Sequence, residues 1–202
     1  MAVITASLVA ELRAKTDSPM MECKRALTEA DGNMEKAEEL LRVKLGSKAG
    51  KAASRVTAEG VVAAAVEGST GALIEVNCET DFVARSEKFR ELAHELALQI
   101  AASAPRYLKA EEIPAEVLEH EAEIARARAV EEGKPENVME RIVAGRLEKF
   151  KDEVVLSRQA YIRDESLTVE KLILSTVAAI GENVIVRRFQ RWELGESTAS
   201  RE

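Results

Sequence analysis

The sequence predicts an α+β fold rich in helix, and three observations carry that reading. Ala, Glu, Leu and Val are frequent while aromatic residues make up only 3% of the chain, a composition that favours helices. Several stretches repeat apolar residues three and four positions apart, the spacing of one helix face. Two short apolar runs, residues 61–66 and 73–76, flank Gly68-Ser69-Thr70-Gly71, which reads as a β-hairpin turn. The expected architecture is an N-terminal three-helix module, then a core in which a small antiparallel sheet is packed by helices, with a helical hairpin.

Residues 1–46 form the three-helix module. Leu8 and Leu12 share a face of the first helix, over about residues 7–15, with Thr5 or Ser7 as cap. Ser18-Pro19 reads as a cap followed by proline at the first helical position. The second helix then turns Met20, Cys23 and Leu27 inward. Asp31-Gly32-Asn33 ends it, and Asn33 caps a third helix that aligns Met34, Ala37, Leu41 and Leu45. Residues 47–57 are small and basic and read as a linker or a helical extension.

The core occupies residues 58–202. After the hairpin strands, a helical pattern begins near Ser86 and aligns Phe89, Leu92, Ala93, Leu96 and Ile100; Pro105 marks its end. Residues 115–150 read as a helical hairpin, with Leu118, Ala122, Ala125 and Ala129 as a narrow seam and Gly133-Lys134-Pro135 as its turn. Val154-Val155-Leu156-Ser157 is a strand candidate. Thr168 caps a helix that Gly181 ends, and residues 184–192 form a terminal strand.

Composition excludes several classes. With 202 residues, 46% hydrophobic and 32% charged, the chain reads as soluble and globular. A net charge of −7 argues against direct nucleic-acid binding. The N-terminus carries no leader pattern and the chain no run long enough to cross a bilayer, so no membrane contact and a cytoplasmic location are expected. Cys23 and Cys78 read as ordinary buried thiols in a reducing compartment. His94 and His120 have no cysteine at ligand spacing, so no metal or other cofactor is expected. Phosphate-cradling glycine loops and nucleophile–histidine pairs are absent, so no catalytic residue stands out.

One corner remains. An apolar run ends at Val76, and Asn77-Cys78-Glu79-Thr80-Asp81-Phe82-Val83-Ala84-Arg85 follows. An acid and a bulky aromatic stand side by side where strand passes to helix. Taken alone, the residues read Phe82 as a core anchor and Asp81 as a helix-start acid. Yet the stretch from Val76 to Arg85 closely resembles the signature of the elongation factor Ts family, exchange factors for the GTPase elongation factor Tu. Ala6-Ser7-Leu8-Val9, Glu11-Leu12-Arg13 and Met20 through Leu27 resemble that family's N-terminal module of the ubiquitin-associated type. Gly133 through Phe150 resembles its protruding helical hairpin, and Arg191-Trp192-Glu193-Leu194-Gly195 its terminal strand.

The resemblance implies a protein that promotes GDP release by binding, with no covalent chemistry. It makes Phe82 an apolar wedge near the magnesium and phosphate site of the GTPase, and Asp81 its acidic neighbour. Thr80 and Val83 would hold the loop's shape, and Met20 and Met21 would lie in the module that grips the nucleotide domain. Two departures stand out. Asp17-Ser18-Pro19 replaces a glycine-rich turn, and Ser86 stands where the family has asparagine. The chain also carries strands for only one of the two core modules of longer members, and short members form homodimers, so a homodimer is expected. The competing reading is a non-catalytic oligomeric scaffold with a helical protein-binding module; a small-molecule enzyme is a further alternative.

Overall fold

The computed structural model describes residues 4–16, 18–52 and 54–196. The expected α+β architecture is present, with an N-terminal helical module and a small three-stranded antiparallel sheet.

Helices α1 (Ala6–Thr16), α2 (Met20–Glu29) and α3 (Met34–Ala52) bury one shared cluster. Val9 and Leu12, then Cys23, Ala26 and Leu27, then Ala37 and Leu41 meet there, at spacings of three or four along each helix. The Thr5 hydroxyl accepts the Leu8 N–H at 3.3 Å and the Asn33 side-chain oxygen accepts the Lys36 N–H at 2.9 Å, so both expected caps form. Between α2 and α3, Asp31 and Gly32 take φ of 52° and 84°, the left-handed region that reverses a chain after a helix.

Two expectations in this module need correction. Ser18 does not cap α2; it is buried and its hydroxyl donates to the Thr16 carbonyl at 3.3 Å. Pro19 takes the cap position instead, and its carbonyl accepts the N–H groups of Glu22 and Cys23 at 2.9 and 3.1 Å. Met20 does not turn inward and is 55% exposed. Periodicity gives the face of a residue, but not whether a neighbour reaches the first turn. Asp17, Ala53 and the side chains of Leu45, Lys48 and Lys51 lie outside the described residues. The backbone of α3 is helical to Ala52.

Strands β1 (Glu59–Glu67), β2 (Thr70–Cys78) and β5 (Ile185–Glu193) form the sheet in the order β1-β2-β5. Gly68 and Ser69 alone join β1 to β2, with Gly68 at φ 58° in the first central position, the pattern of a type II′ turn. The inward residue of β1 is Ala65; Val62 and Val66 are exposed.

The remaining elements are α4 (Asp81–Arg85), α5 (Glu87–Ser103), α6 (Ala115–Glu131), α7 (Glu136–Val154), β3 (Ala160–Tyr161), β4 (Asp164–Thr168) and α8 (Val169–Ile180). Helix α5 buries Phe89, Leu92, Ala93, Leu96 and Ile100, the face read from the sequence. Helices α6 and α7 make the hairpin. Ala125, Ala129 and Val143 are buried in its seam, and Gly133 turns it at φ 68°.

The strand expected over Val154-Val155-Leu156-Ser157 is not formed. Val155 is the C-cap of α7, extended at φ −103° and ψ 117° with its N–H bonded to the Lys151 carbonyl; it makes one parallel bridge to Tyr107 and leads into a 3-10 turn, Leu156–Arg158. A short buried apolar run does not distinguish a strand from a buried helix end.

The chain divides into two compact units. One holds the residues up to Ala63 with Ile74–Glu95 and Lys171–Arg187; the other holds Ala64–Leu73, Leu96–Glu170 and the residues from Arg188 onward. No helix of the described residues is long and apolar enough to cross a membrane.

Candidate functional site: an exposed aromatic on a braced corner

The corner after β2 lies within the first unit. A short helix starts at Asp81, as its reading as a helix-start acid expects, ahead of the longer helical pattern read from near Ser86. Thr80 is the N-cap, in extended geometry (φ −124°, ψ 155°), and its hydroxyl accepts the Val83 N–H at 3.4 Å. Its carbonyl accepts the Ala84 N–H at 3.1 Å. Helix α4 spans just five residues, far too short to be stable by itself.

Ser86 ends it with extended dihedrals (φ −66°, ψ 143°) and begins the next helix. Its hydroxyl donates to the Val83 carbonyl at 2.8 Å and accepts the Phe89 N–H at 3.3 Å. The Ser86 hydroxyl thus bonds to both helices where α4 meets α5.

This geometry decides the direction of Phe82. Ala84 is buried beneath α4. Two residues along a helix are about 200° around its axis, so burying Ala84 turns Phe82 to the opposite side. Phe82 is 84% exposed, which overturns the core-anchor reading of the residues alone. Phe89, by contrast, is fully buried. Asp81 faces Arg85 one turn on, with 3.2 Å between carboxylate and guanidinium, an exposed pair worth only about 0.3–0.5 kcal/mol. Val83 is half-buried and Thr80 exposed.

The backbone before α4 is held by residues that the sequence reading did not single out. Glu182, just past α8, accepts the Glu79 and Thr80 N–H groups on one carboxylate oxygen at 3.1 and 3.0 Å. Its other oxygen accepts the Thr80 hydroxyl at 2.6 Å. Glu79 reciprocates by accepting the Asn183 N–H at 2.5 Å and pairing with Arg55 at 3.0 Å. Arg55 also donates to the Gly181 carbonyl at 3.4 Å, and the Asn183 amide donates to the Arg55 carbonyl at 3.1 Å. In the sequence, Gly181 reads only as a helix stop and Arg55 only as part of the basic linker.

Beneath the corner, Cys78 is fully buried and its thiol donates to the Thr80 carbonyl at 3.3 Å. Burial first, and the nearby Glu182 carboxylate second, push its pKa up to about 11. Burial also raises the Cys23 thiol. Both thiols are therefore protonated near neutral pH and are poor nucleophiles.

Met20 and Met21, at the start of α2, are 55% and 60% exposed. They lie on a different element from the corner. Among the described residues, no group of three or more His, Cys, Asp or Glu is placed to hold a metal ion. In the second unit a cleft of about 670 Å³ is lined by Arg106, Tyr107, Glu112, Arg188 and Arg191 among others, and its lining includes no Ser, Cys or His.

The family model described as elongation factor TS matches residues 67–196. Elongation factor Ts of Carboxydothermus hydrogenoformans is 51% identical, over 99% of this chain and 93% of its own length. That of Moorella thermoacetica is 52% identical, over 99% of this chain and 100% of its own length. That of Syntrophomonas wolfei is 52% identical, over 96% and 92%. A family match across more than half the chain, and half-identity along nearly all of it, show that the chain belongs to the elongation factor Ts family.

Proposed function

We propose that this protein, a member of a family of translation elongation factors, is a guanine-nucleotide exchange factor for elongation factor Tu. It promotes GDP release by inserting the Thr80-Asp81-Phe82-Val83 corner near the magnesium and phosphate site of the GTPase. The single observation that carries the reading is Phe82, 84% exposed on a short helix whose other side is anchored. A phenyl ring left in water forgoes about 1.5–3 kcal/mol relative to a buried one. A partner that covers Phe82 recovers that energy, and it becomes available to deform the partner's nucleotide site.

The physical logic is linkage. A GTPase holds its nucleotide through phosphate contacts and magnesium. A factor that binds the empty form more tightly lowers nucleotide affinity, and nucleotide lowers the factor's affinity by the same ratio. Phe82 displaces packed side chains beside the site, and Asp81 perturbs the charge network around the metal. The corner needs no chemistry of its own, so the protein acts by binding and forms no covalent intermediate.

The same proposal gives Met20 and Met21 to the surface that grips the nucleotide domain, since both methionines are exposed at one helix start. It treats residues 1–46 as a separate binding module, 47–57 as its connection and 58–202 as the core. It also includes a homodimer in the cytoplasm, with no direct role for nucleic acid. In the second unit Val66 and Leu73, on the exposed side of the hairpin, and Trp192 and Leu194 are all exposed, apolar surface that supports association with a second copy.

The test is release of labelled GDP from elongation factor Tu in excess unlabelled GDP. Strong acceleration at substoichiometric protein supports exchange; no acceleration, with both proteins folded, overturns it and favours a scaffold.

A further inference from the structure

Phe82 is directed by its helix, but α4 is too short to direct itself. What holds the first turn is Thr80, and what holds Thr80 is a carboxylate 102 positions away in sequence. Glu182 uses both oxygens on this one turn. One takes two consecutive backbone N–H groups, of Glu79 and Thr80, and the other takes the Thr80 hydroxyl. Bidentate, charge-assisted bonds of this kind fix orientation as well as position.

The hydroxyl is the key atom. It donates to Glu182 at 2.6 Å and accepts the Val83 N–H at 3.4 Å. A hydroxyl has one proton and two lone pairs. With the proton committed to Glu182, the lone pairs are left for the cap of α4. The second carboxylate closes the device from the other side. Glu79 takes the Asn183 N–H and the Arg55 guanidinium, so the Gly181-Glu182-Asn183 segment is tied to the corner it braces. The Arg55–Asn183 bond completes the ring of contacts. All of these residues belong to the same compact unit.

We propose that Glu182 is a positioning residue for nucleotide exchange: through Thr80 it sets the pose in which Phe82 is presented to the GTPase. This rests on the exchange reading above. Glu182 need not touch the partner; it acts through the loop.

Two measurements test this, and one needs no partner. Amide hydrogen exchange of the Glu182→Ala protein should be faster at Val83 and Ala84 by at least about tenfold, while the amides of Leu92 to Ile100 in α5 keep their rates. Unchanged rates at Val83 and Ala84 would overturn the brace. In the GDP-release assay, Glu182→Ala should lower the stimulation by about tenfold in the unsubstituted background and by less than about twofold in a Phe82→Ala background. That non-additivity is not produced by a merely structural role. Equal losses in both backgrounds would overturn the proposal. Glu182→Gln, whose carbonyl oxygen still accepts the two backbone N–H groups, should recover part of the stimulation, and a Gln variant no better than Ala would count against the brace. If the unsubstituted protein gives no stimulation, the exchange reading fails, and with it the role in exchange; the amide rates then decide the brace itself.

Discussion

The side-chain amide of Gln99 donates to the side-chain oxygen of Gln159 at 3.2 Å, in a site where Gln99 is 0% exposed. The same amide nitrogen also lies 3.1 Å from both the Ser103 hydroxyl and the Ala160 carbonyl, so its two protons are shared among three acceptors, and its oxygen accepts the Ile162 N–H at 2.9 Å. Gln159 in turn donates to the carbonyls of Ser103 and Glu153. This fully bonded pair ties α5 to the end of α7 and to β3. Gln99→Leu fits the volume but orphans the Ile162 N–H and the Gln159 oxygen. It should cost about 2–4 kcal/mol, read as a lower midpoint in urea unfolding. A change below about 0.5 kcal/mol would mean that water replaces the lost bonds.

Gly60 is fixed by space rather than by dihedral. A Cβ there would stand 2.3 Å from the Val76 carbonyl oxygen and 2.8 Å from the Asn77 Cα. Both are backbone of β2 and cannot swing aside. Gly60→Ala should therefore destabilise by about 2 kcal/mol or more, measurable by thermal unfolding. Gly145→Ala, with open space around the new methyl, should leave stability the same or raise it by about 1 kcal/mol.

The Cys78 thiol gives a pH dependence with a definite sign. Its folded-state pKa is about 11, above its ordinary value of 9.0. Between those values the unfolded chain has released a proton that the folded chain keeps. The contribution is complete below pH 9 and is lost as pH rises through 11. Stability should fall more steeply over that window in the unsubstituted protein than in Cys78→Ala. Equal slopes would show that the thiol does not titrate differently on folding.

Much of this fold was legible because its signals are local. Caps at Thr5 and Asn33, the Gly68-Ser69 turn and the apolar face of α5 depend on near neighbours in sequence, and they formed where expected. Periodicity erred where the outcome depends on a distant segment. Met20 has the spacing of an inward residue but lies at the first turn of α2, and Val155-Leu156 reads as a strand but closes on Tyr107 as a single bridge. The corner itself was visible as a motif. Its brace was not, because Glu182 and Arg55 are ordinary charged residues until folding brings them to Glu79 and Thr80.

The exposed sheet residues predict an assembly. Trp192 is 52% exposed at the end of β5, and Leu194 beyond it is also exposed. Trp192→Glu places a charge in the surface proposed for association, where burial without a partner is costly. Sedimentation should show a dimer for the unsubstituted protein and a shift toward monomer for the variant, with unchanged circular dichroism. Identical sedimentation of the two would remove Trp192 from any interface.

The central claim is that Phe82 is held outward for a partner and contributes little to the fold. GDP release from elongation factor Tu, measured with the unsubstituted protein and with Phe82→Ala, tests it most directly when thermal unfolding is followed on the same samples. The expected result is a loss of stimulation of about tenfold or more with a melting temperature changed by no more than about 2 °C. Undiminished stimulation, or a loss matched by a comparable fall in melting temperature, would contradict the account.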